Sequence, residues 1–320
     1  MELFPLARNP IPVGARVGSF ESFDGAKMRY ACWDPTQGPH RGTVSVFTGR
    51  SEFIEKYFEV IADLRRRGFS VAIMDWRGQG GSHRPLSNPR KGWVHSFADY
   101  DKDLAGFMQQ VVLPNYPAPH FALAHSMGGH ILLRNAGQQN CWFERMMLSA
   151  PMLRFHDGKV GIPQSLARLY GTLGVMCGMG RSYVKGGTDE GEEPTVYDGN
   201  HLTSDRDRFA RNRALIEAVP NLRLGSATIG WLRTAYRSMA MLNDPAYAAR
   251  IRVPLLIFIA GEDMVVDSRA TEVFAARVKL CTSILLPRAR HEILQETDEV
   301  RGRVWAAIDA YTGVTSETQG

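Results

Sequence analysis

The chain has 320 residues, 44% hydrophobic and 22% charged, with 38 Lys and Arg against 33 Asp and Glu for a net charge of +5. These values suit a globular protein and exclude collagen-like, coiled-coil and disordered compositions. The mildly basic balance, with no long basic stripe, argues against nucleic acid as a partner.

No apolar run reaches membrane-spanning length. Met1–Phe20 mixes Glu2, Arg8 and Arg16 with Pro5, Pro10 and Pro12, and lacks the apolar stretch of a secretory signal. The cysteines, Cys32, Cys141, Cys177 and Cys281, are scattered and form no CxxC. They predict neither a zinc site nor a disulfide framework, and read as small core fillers in a reducing cytoplasm.

In chain order, Ala26–Trp33 and Thr43–Thr48 read as strands. Glu52–Arg67 reads as an amphipathic helix with Phe53, Tyr57, Val60, Ile61 and Leu64 on one face. The cluster Arg65-Arg66-Arg67 falls at its end, where positive charge complements the helix dipole and leaves at most a weak attraction to anionic headgroups. Val71–Asp75 is a short buried strand, and Phe97–Val112 a helix. Phe121–His125 is a buried strand followed by a helix from Met127 to Gln138, and Arg145–Ala150 is a strand again. This alternation implies a parallel sheet covered by helices on both faces.

From Pro151 to Arg250 the pattern changes. No convincing buried strand occurs, and helical pieces near Asp205–Val219 and Ser226–Leu242 join glycine-rich stretches. Alternation then resumes with Pro254–Ala260, the helix Ser268–Arg277, the strand Thr282–Leu286 and the helix Glu299–Tyr311. Residues 1–150 and 251–320 therefore read as one α/β core, interrupted by a helical insertion at 151–250. An insertion at the carboxyl edge of a parallel sheet sits over the ligand crevice as a lid.

The chemistry concentrates at Ala124-His125-Ser126-Met127-Gly128. A buried strand runs directly into Ser126 and a helix leaves directly after it, the context of a nucleophile elbow. Such a serine stands on a strained turn, and the residues two before and two after it crowd together. Ala124 and Gly128 are small enough, although alanine stands where glycine is usual. An acid and then a histidine should follow in chain order. Asp263 lies just past the strand ending at Ala260, ahead of its competitors Glu262 and Asp267; Asp267 reads as a helix N-cap. His291 follows the last strand. The other histidines are not in the right order; His125 adjoins the serine but reads as pointing the wrong way along its strand, and His130 sits in the elbow helix.

In this reading Ser126 attacks an acyl carbonyl, His291 moves the proton, Asp263 orients the imidazole, and an acyl-enzyme is hydrolysed by water. The oxyanion needs two N–H donors. One is that of Met127; the other falls to Arg50, in the loop Thr48-Gly49-Arg50-Ser51-Glu52. The loop Asp75-Trp76-Arg77-Gly78-Gln79-Gly80-Gly81-Ser82 lacks the signatures of a phosphate loop and reads as a tight turn held by Asp75 and Arg77.

Together, Gly49-Arg50-Ser51-Glu52, Asp75 to Gly80, His125 to Gly129, Gly261-Glu262-Asp263 and His291-Glu292 resemble the α/β-hydrolase superfamily. Within it the chain is similar to bacterial lysophospholipases and monoacylglycerol lipases. Thr48 stands where the latter more often carry histidine. The resemblance implies the triad Ser126, Asp263 and His291, the oxyanion donors Arg50 and Met127, no metal, no organic cofactor, and a helical cap. It implies a small acyl ester as partner, lysophospholipid or monoacylglycerol, with a carboxylesterase, a peptidase or a non-catalytic binding protein as alternatives. The apolar segment Ile162, Leu166, Leu169, Tyr170, Leu173, Val175, Met176 and Met179 suits an acyl channel, peripheral contact with an inner membrane, or a helix packed on the core.

Overall fold

The computed structural model describes residues 1–138, 141–191 and 194–314. Residues 315–320, assigned to the core by sequence, lie outside them. The described strands form one sheet in the order β1-β2-β4-β3-β5-β6-β7-β8. They are β1 (Arg16–Glu21), β2 (Lys27–Trp33), β3 (Thr43–Phe47), β4 (Ser70–Met74), β5 (His120–His125), β6 (Arg145–Ser149), β7 (Leu255–Ala260) and β8 (Cys281–Leu286). β1 and β2 are antiparallel to their neighbours, and the remaining pairs are parallel. β3, β4 and β7 are buried at every position. Parallel strands covered on both faces need such unbroken apolar runs.

β1 escapes the sequence reading for a physical reason. It is an edge strand, R-V-G-S-F-E, with one buried position, so its apolar signal is faint. The helix expected over Glu52–Arg67 begins later, as a 3-10 turn at Ile54–Tyr57 that leads into α1 (Phe58–Arg66). Phe53 consequently leaves the expected face and packs in a separate cluster with Leu215, Ile216 and Leu222. The basic cluster at the end of α1 is internally engaged: Arg66 pairs with Asp63, Arg67 with Asp309, and Arg65 donates to the carbonyl of Asp34.

α2 (Phe97–Phe107) opens on a Ser96–Asp99 capping box and continues as a π-helical turn, Met108–Val112. α3 (Met127–Ala136) follows β5. Between β6 and β7 the described residues hold no strand, only isolated bridges. Their main helices are α4 (Gln164–Met176), α5 (Arg206–Ala218) and α6 (Ile229–Leu242). Asp205 and Thr228 cap the last two. α7 (Ser268–Ala275) and α8 (Asp298–Thr312) complete the order.

α4 separates its residues by size. Ala167, Gly171 and Gly174 are buried, and a Cβ on Gly174 would lie 2.8 Å from Ile229, so glycine lets α4 approach α6 closely. The large residues point the other way: Leu166, Leu169, Leu173 and Met176 are 53%, 52%, 50% and 76% exposed. The sequence reading of a helix simply packed on the core is therefore corrected for these four. Cys177, at the end of α4, is exposed and fills no core; Cys32 is buried, and Cys141 and Cys281 are half-buried.

The turn after β4 is structural, as its sequence suggests. The Asp75 carboxylate pairs with the buried Arg29 and accepts from the N–H groups of Ile54 and Gly81. Arg77 bridges Asp103 and Asp24.

Candidate active site

Strand order reverses at β3, which has β4 on one side and β5 on the other. Open α/β sheets bind ligands at such a switch point, outside the carboxyl ends of the strands. Loop 48–52 leaves β3 there, and Ser126 leaves β5 beside it.

Ser126 has φ 50° and ψ −112°, a strained position for a residue with a Cβ. Its backbone is tied down. The N–H donates to the carbonyl of Ser149, and its carbonyl accepts from His130 and Met152, each at 3.0 Å. Gly128 is obligatory, because a Cβ there would lie 2.5 Å and 2.6 Å from the carbonyl oxygens of Phe47 and Thr48. The first turn of α3 is thus pressed against the end of β3.

The structure brings the three sequence-predicted side chains together. His291 Nε2 lies 3.0 Å from Ser126 Oγ, and His291 Nδ1 lies 2.8 Å from Asp263 Oδ2. All three residues are buried. A carboxylate can only accept, so Nδ1 carries the proton and Nε2 is left to accept from the serine hydroxyl. Asp263 Oδ1 also accepts from the N–H groups of Val265 and Val266 at 2.8 Å and 2.9 Å. Burial would raise this carboxyl, but His291 and the two N–H groups hold it below the usual carboxylate range. Of the competitors, Asp267 caps α7 by accepting from Ala270 and pairs with Arg154, while Glu262 lines the cavity described below.

His125 corrects the sequence reading. Its ring stands against that of His291, and it lines the same cavity. It does not join the triad, because its Nδ1 is engaged by the carbonyl of Ser149 at 3.1 Å. Burial lowers its pKa to about 4, so the ring is neutral at pH 7. His130 is structural. It bridges the Met152 carbonyl and the Ser238 hydroxyl, both at 2.6 Å, and burial lowers its pKa to about 3.

Sequence reasoning missed a buried charge cluster beside the triad. Glu52 accepts from the Gly49 N–H and from the Tyr57 hydroxyl, and pairs with Lys56 at 2.9 Å. Lys56 also pairs at 2.6 Å with Glu292, the residue after His291. Burial would raise the Glu52 carboxyl, but Lys56, His125 and the Tyr57 hydroxyl bring it down to about 2. Charged residues read as surface in a sequence, and nothing local marks this set otherwise.

A cavity of about 1260 Å³ opens over Ser126. That exceeds a typical small-ligand pocket. Met152, Phe155, Ile162 and Trp231 supply apolar walls, and Arg50, Lys185 and Arg290 supply cationic groups. Arg50 joins this wall to the sheet: its Nη2 donates to the Gly225 carbonyl at 2.9 Å, and its guanidinium lies 5.0 Å from the Trp231 ring centre. Among the described residues, no group of three or more His, Cys, Asp or Glu side chains is placed to hold a metal ion.

Sheet order, elbow and helical excursion define an α/β-hydrolase. The chain belongs to the Hydrolase_4 family, described as serine aminopeptidase, S33, whose model matches residues 38–298. It is 33% identical over 276 residues to lysophospholipase L2 of Escherichia coli K12, covering 84% of this chain and 79% of that protein. It is 26% identical over 227 residues to phospholipase YtpA of Bacillus subtilis, covering 70% and 76%. Among solved structures, a soluble variant of Saccharomyces cerevisiae monoglyceride lipase in complex with a substrate analogue superposes with a TM-score of 0.75 at 23% identity. That match covers 97% of this chain and 99% of the yeast one. The chain is therefore a lysophospholipase- and monoglyceride-lipase-like α/β-hydrolase.

Proposed function

We propose that the protein is a serine esterase that cleaves the acyl ester of lysophospholipids or monoacylglycerols through Ser126, His291 and Asp263. The observation that carries this reading is the continuous hydrogen-bonded chain from Ser126 Oγ through His291 to Asp263 at the floor of a large, partly apolar cavity.

Ser126 Oγ adds to the acyl carbonyl while His291 Nε2 takes its proton. The carbonyl oxygen becomes an oxyanion held by the N–H groups of Met127 and Arg50. The tetrahedral intermediate collapses, the leaving alcohol takes the proton from His291, and an acyl-Ser126 ester remains. Water then adds, giving a proton to His291, and the fatty acid leaves as Ser126 regains its hydrogen. Asp263 stays ionised and stabilises the imidazolium in both halves.

Residues 151–250 act as a cap in this reading, since they supply much of the cavity wall. The cap also presents the exposed stripe Leu166, Leu169, Leu173 and Met176, spaced by three and four residues on one helix face. A stripe of this kind suits peripheral contact with a membrane surface on the cytoplasmic side. Its helix contributes Ala167 and Tyr170 to the cavity, so a lipid would pass from the membrane to Ser126 along α4. Among the described residues, no helix is long and apolar enough to cross a membrane.

The test compares wild type with Ser126→Ala on p-nitrophenyl esters, a lysophosphatidylcholine, a monoacylglycerol and an aminoacyl p-nitroanilide. Fatty-acid release by wild type and none by the variant is the expected result. Turnover of short esters alone leaves a carboxylesterase. Turnover of the anilide favours the peptidase reading that the family's description carries.

A further inference from the structure

Gln79 lies in the glycine-rich turn after β4, which the esterase mechanism leaves without a role. It is 2% exposed, and its side-chain amide is fully engaged. Nε2 donates to the carbonyl of Gly49 at 2.7 Å and to that of Glu52 at 3.0 Å. Oε1 accepts from the N–H of Ser51 at 3.3 Å. The two ends of the amide cannot be exchanged, because two carbonyls require the NH2 group and one N–H requires the oxygen. All three contacts fall on the loop that carries Arg50.

We propose that Gln79 is a positioning residue for the oxyanion hole: it fixes the Gly49–Arg50 peptide plane so that the N–H of Arg50 faces the reacting carbonyl. The peptide is trans, so its C=O and N–H point in opposite directions. Anchoring the Gly49 carbonyl to Gln79 therefore turns the Arg50 N–H to the other side of the loop. Neighbouring groups hold the flanking planes. The Gly49 N–H donates to the Glu52 carboxylate and the Ser51 N–H to Gln79 itself, so neither of these turns towards substrate. Ser51 has φ 64°, a conformation that a residue with a Cβ keeps only where its surroundings impose it, and Gln79 is the group that holds its N–H. The loop faces the elbow closely: a Cβ on Gly49 would lie 3.0 Å from the ring of His125, the residue before Ser126. Preorganised donors act only when aimed where charge develops, so a small rotation of this plane costs transition-state binding and leaves ground-state binding intact.

This inference rests on the esterase reading, and the experiment separates the two. Wild type, Ser126→Ala, Gln79→Met and Gln79→Glu are assayed on p-nitrophenyl butyrate for kcat and KM. Each is also titrated with an alkyl trifluoromethyl ketone, to which Ser126 adds with its proton passing to His291 and the carbonyl oxygen becoming an oxyanion. Thermal midpoints are recorded alongside. Gln79→Met keeps the length and removes both polar ends; Gln79→Glu keeps the acceptor for Ser51 and removes the donor to Gly49.

Both Gln79 variants are expected to lose kcat by about tenfold to a hundredfold, less than the roughly 10²–10³-fold loss on deleting a donor outright. KM should stay within about twofold, and the ketone should weaken by the same factor as kcat/KM, as expected for a transition-state contact. Unchanged kcat overturns the inference. So does a loss of kcat with unchanged ketone affinity, and so does failure of both variants to fold, which would make Gln79 a purely structural residue. Wild type without turnover, or Ser126→Ala with full turnover, fails the esterase reading before Gln79 is consulted.

Discussion

His125 and His291 stand ring against ring, with centroids 4.7 Å apart and planes inclined at 56°, yet only His291 reaches Ser126. In the proposed mechanism His291 becomes positively charged during turnover, so a second imidazole this close must stay neutral. Burial ensures this for His125.

Neutral buried histidines make the fold acid-sensitive in a defined window. His125 and His130 have pKa values lowered to about 4 and about 3, against 6.5 in an unfolded chain. Below pH 6.5 the unfolded state binds protons that the folded state refuses, so stability falls as pH drops and is fully present only above that value. The slope is about 1.4 kcal/mol per pH unit for each such group. A urea titration series from pH 7 to pH 4.5 should show the midpoint falling steadily. Replacing His130 by Gln should flatten this fall while lowering stability at pH 7 through lost hydrogen bonds. An unflattened fall would remove His130 from the explanation.

Asp263→Asn should preserve the fold and lower kcat by about 10⁴, with KM little changed, as expected where a triad acid sets tautomer and orientation. Glu262→Gln and Asp267→Asn, the competing acids, should retain most activity. Steady-state kinetics on a short ester distinguish the three, and a larger loss for Glu262→Gln than for Asp263→Asn would reverse the assignment.

Gly128→Ala inserts a methyl group where the Phe47 and Thr48 carbonyls stand 2.5 Å and 2.6 Å away. Backbone cannot yield as a flexible side chain can. The variant should lose about 1–3 kcal/mol of stability, the usual range for overpacking. Its kcat should fall well beyond that of a control such as Gly302→Ala, whose Cβ meets nothing within 4 Å. Thermal melts and ester kinetics on the pair supply the comparison.

Leu166→Glu with Leu173→Glu places two charges on the exposed face of α4. Sedimentation with phosphatidylglycerol vesicles should drop several-fold, while turnover of a soluble butyrate ester stays within about twofold, because neither leucine lines the cavity. Vesicle binding that survives both substitutions would mean that another surface meets the membrane.

Much of the candidate site's geometry was legible, because a nucleophile elbow would impose a local pattern. A buried strand, a serine and a helix in immediate succession leave few readings for Ser126, and chain order then leads to Asp263 and His291. Glu52, Lys56, Gln79 and Glu292 were not legible. Gln79 reaches its partners from another loop, and Lys56 and Glu292 are 236 residues apart. Glu52, whose side-chain partners are local, is a charged residue that nothing in the sequence marks as buried. His125 was misjudged for a related reason. Alternation along β5 gives its face, but the loop bearing His291 folds back over the end of the strand. The split of α4 into a small-residue face and a leucine face was present in the spacing. Which face met the protein depended on the position of α6.

β6 and β7 are adjacent in the sheet, with Met146 opposite Leu255, although about a hundred residues separate them. The excursion thus joins the sheet at two neighbouring strands and needs no change in strand order to lengthen, shorten or be exchanged. Ser126, Asp263 and His291 follow strand ends, while residues 151–250 add Met152, Phe155, Ile162 and Trp231 to the cavity wall. Changes within the excursion can therefore reshape that wall, while the serine, histidine and aspartate keep the geometry that the strand ends provide.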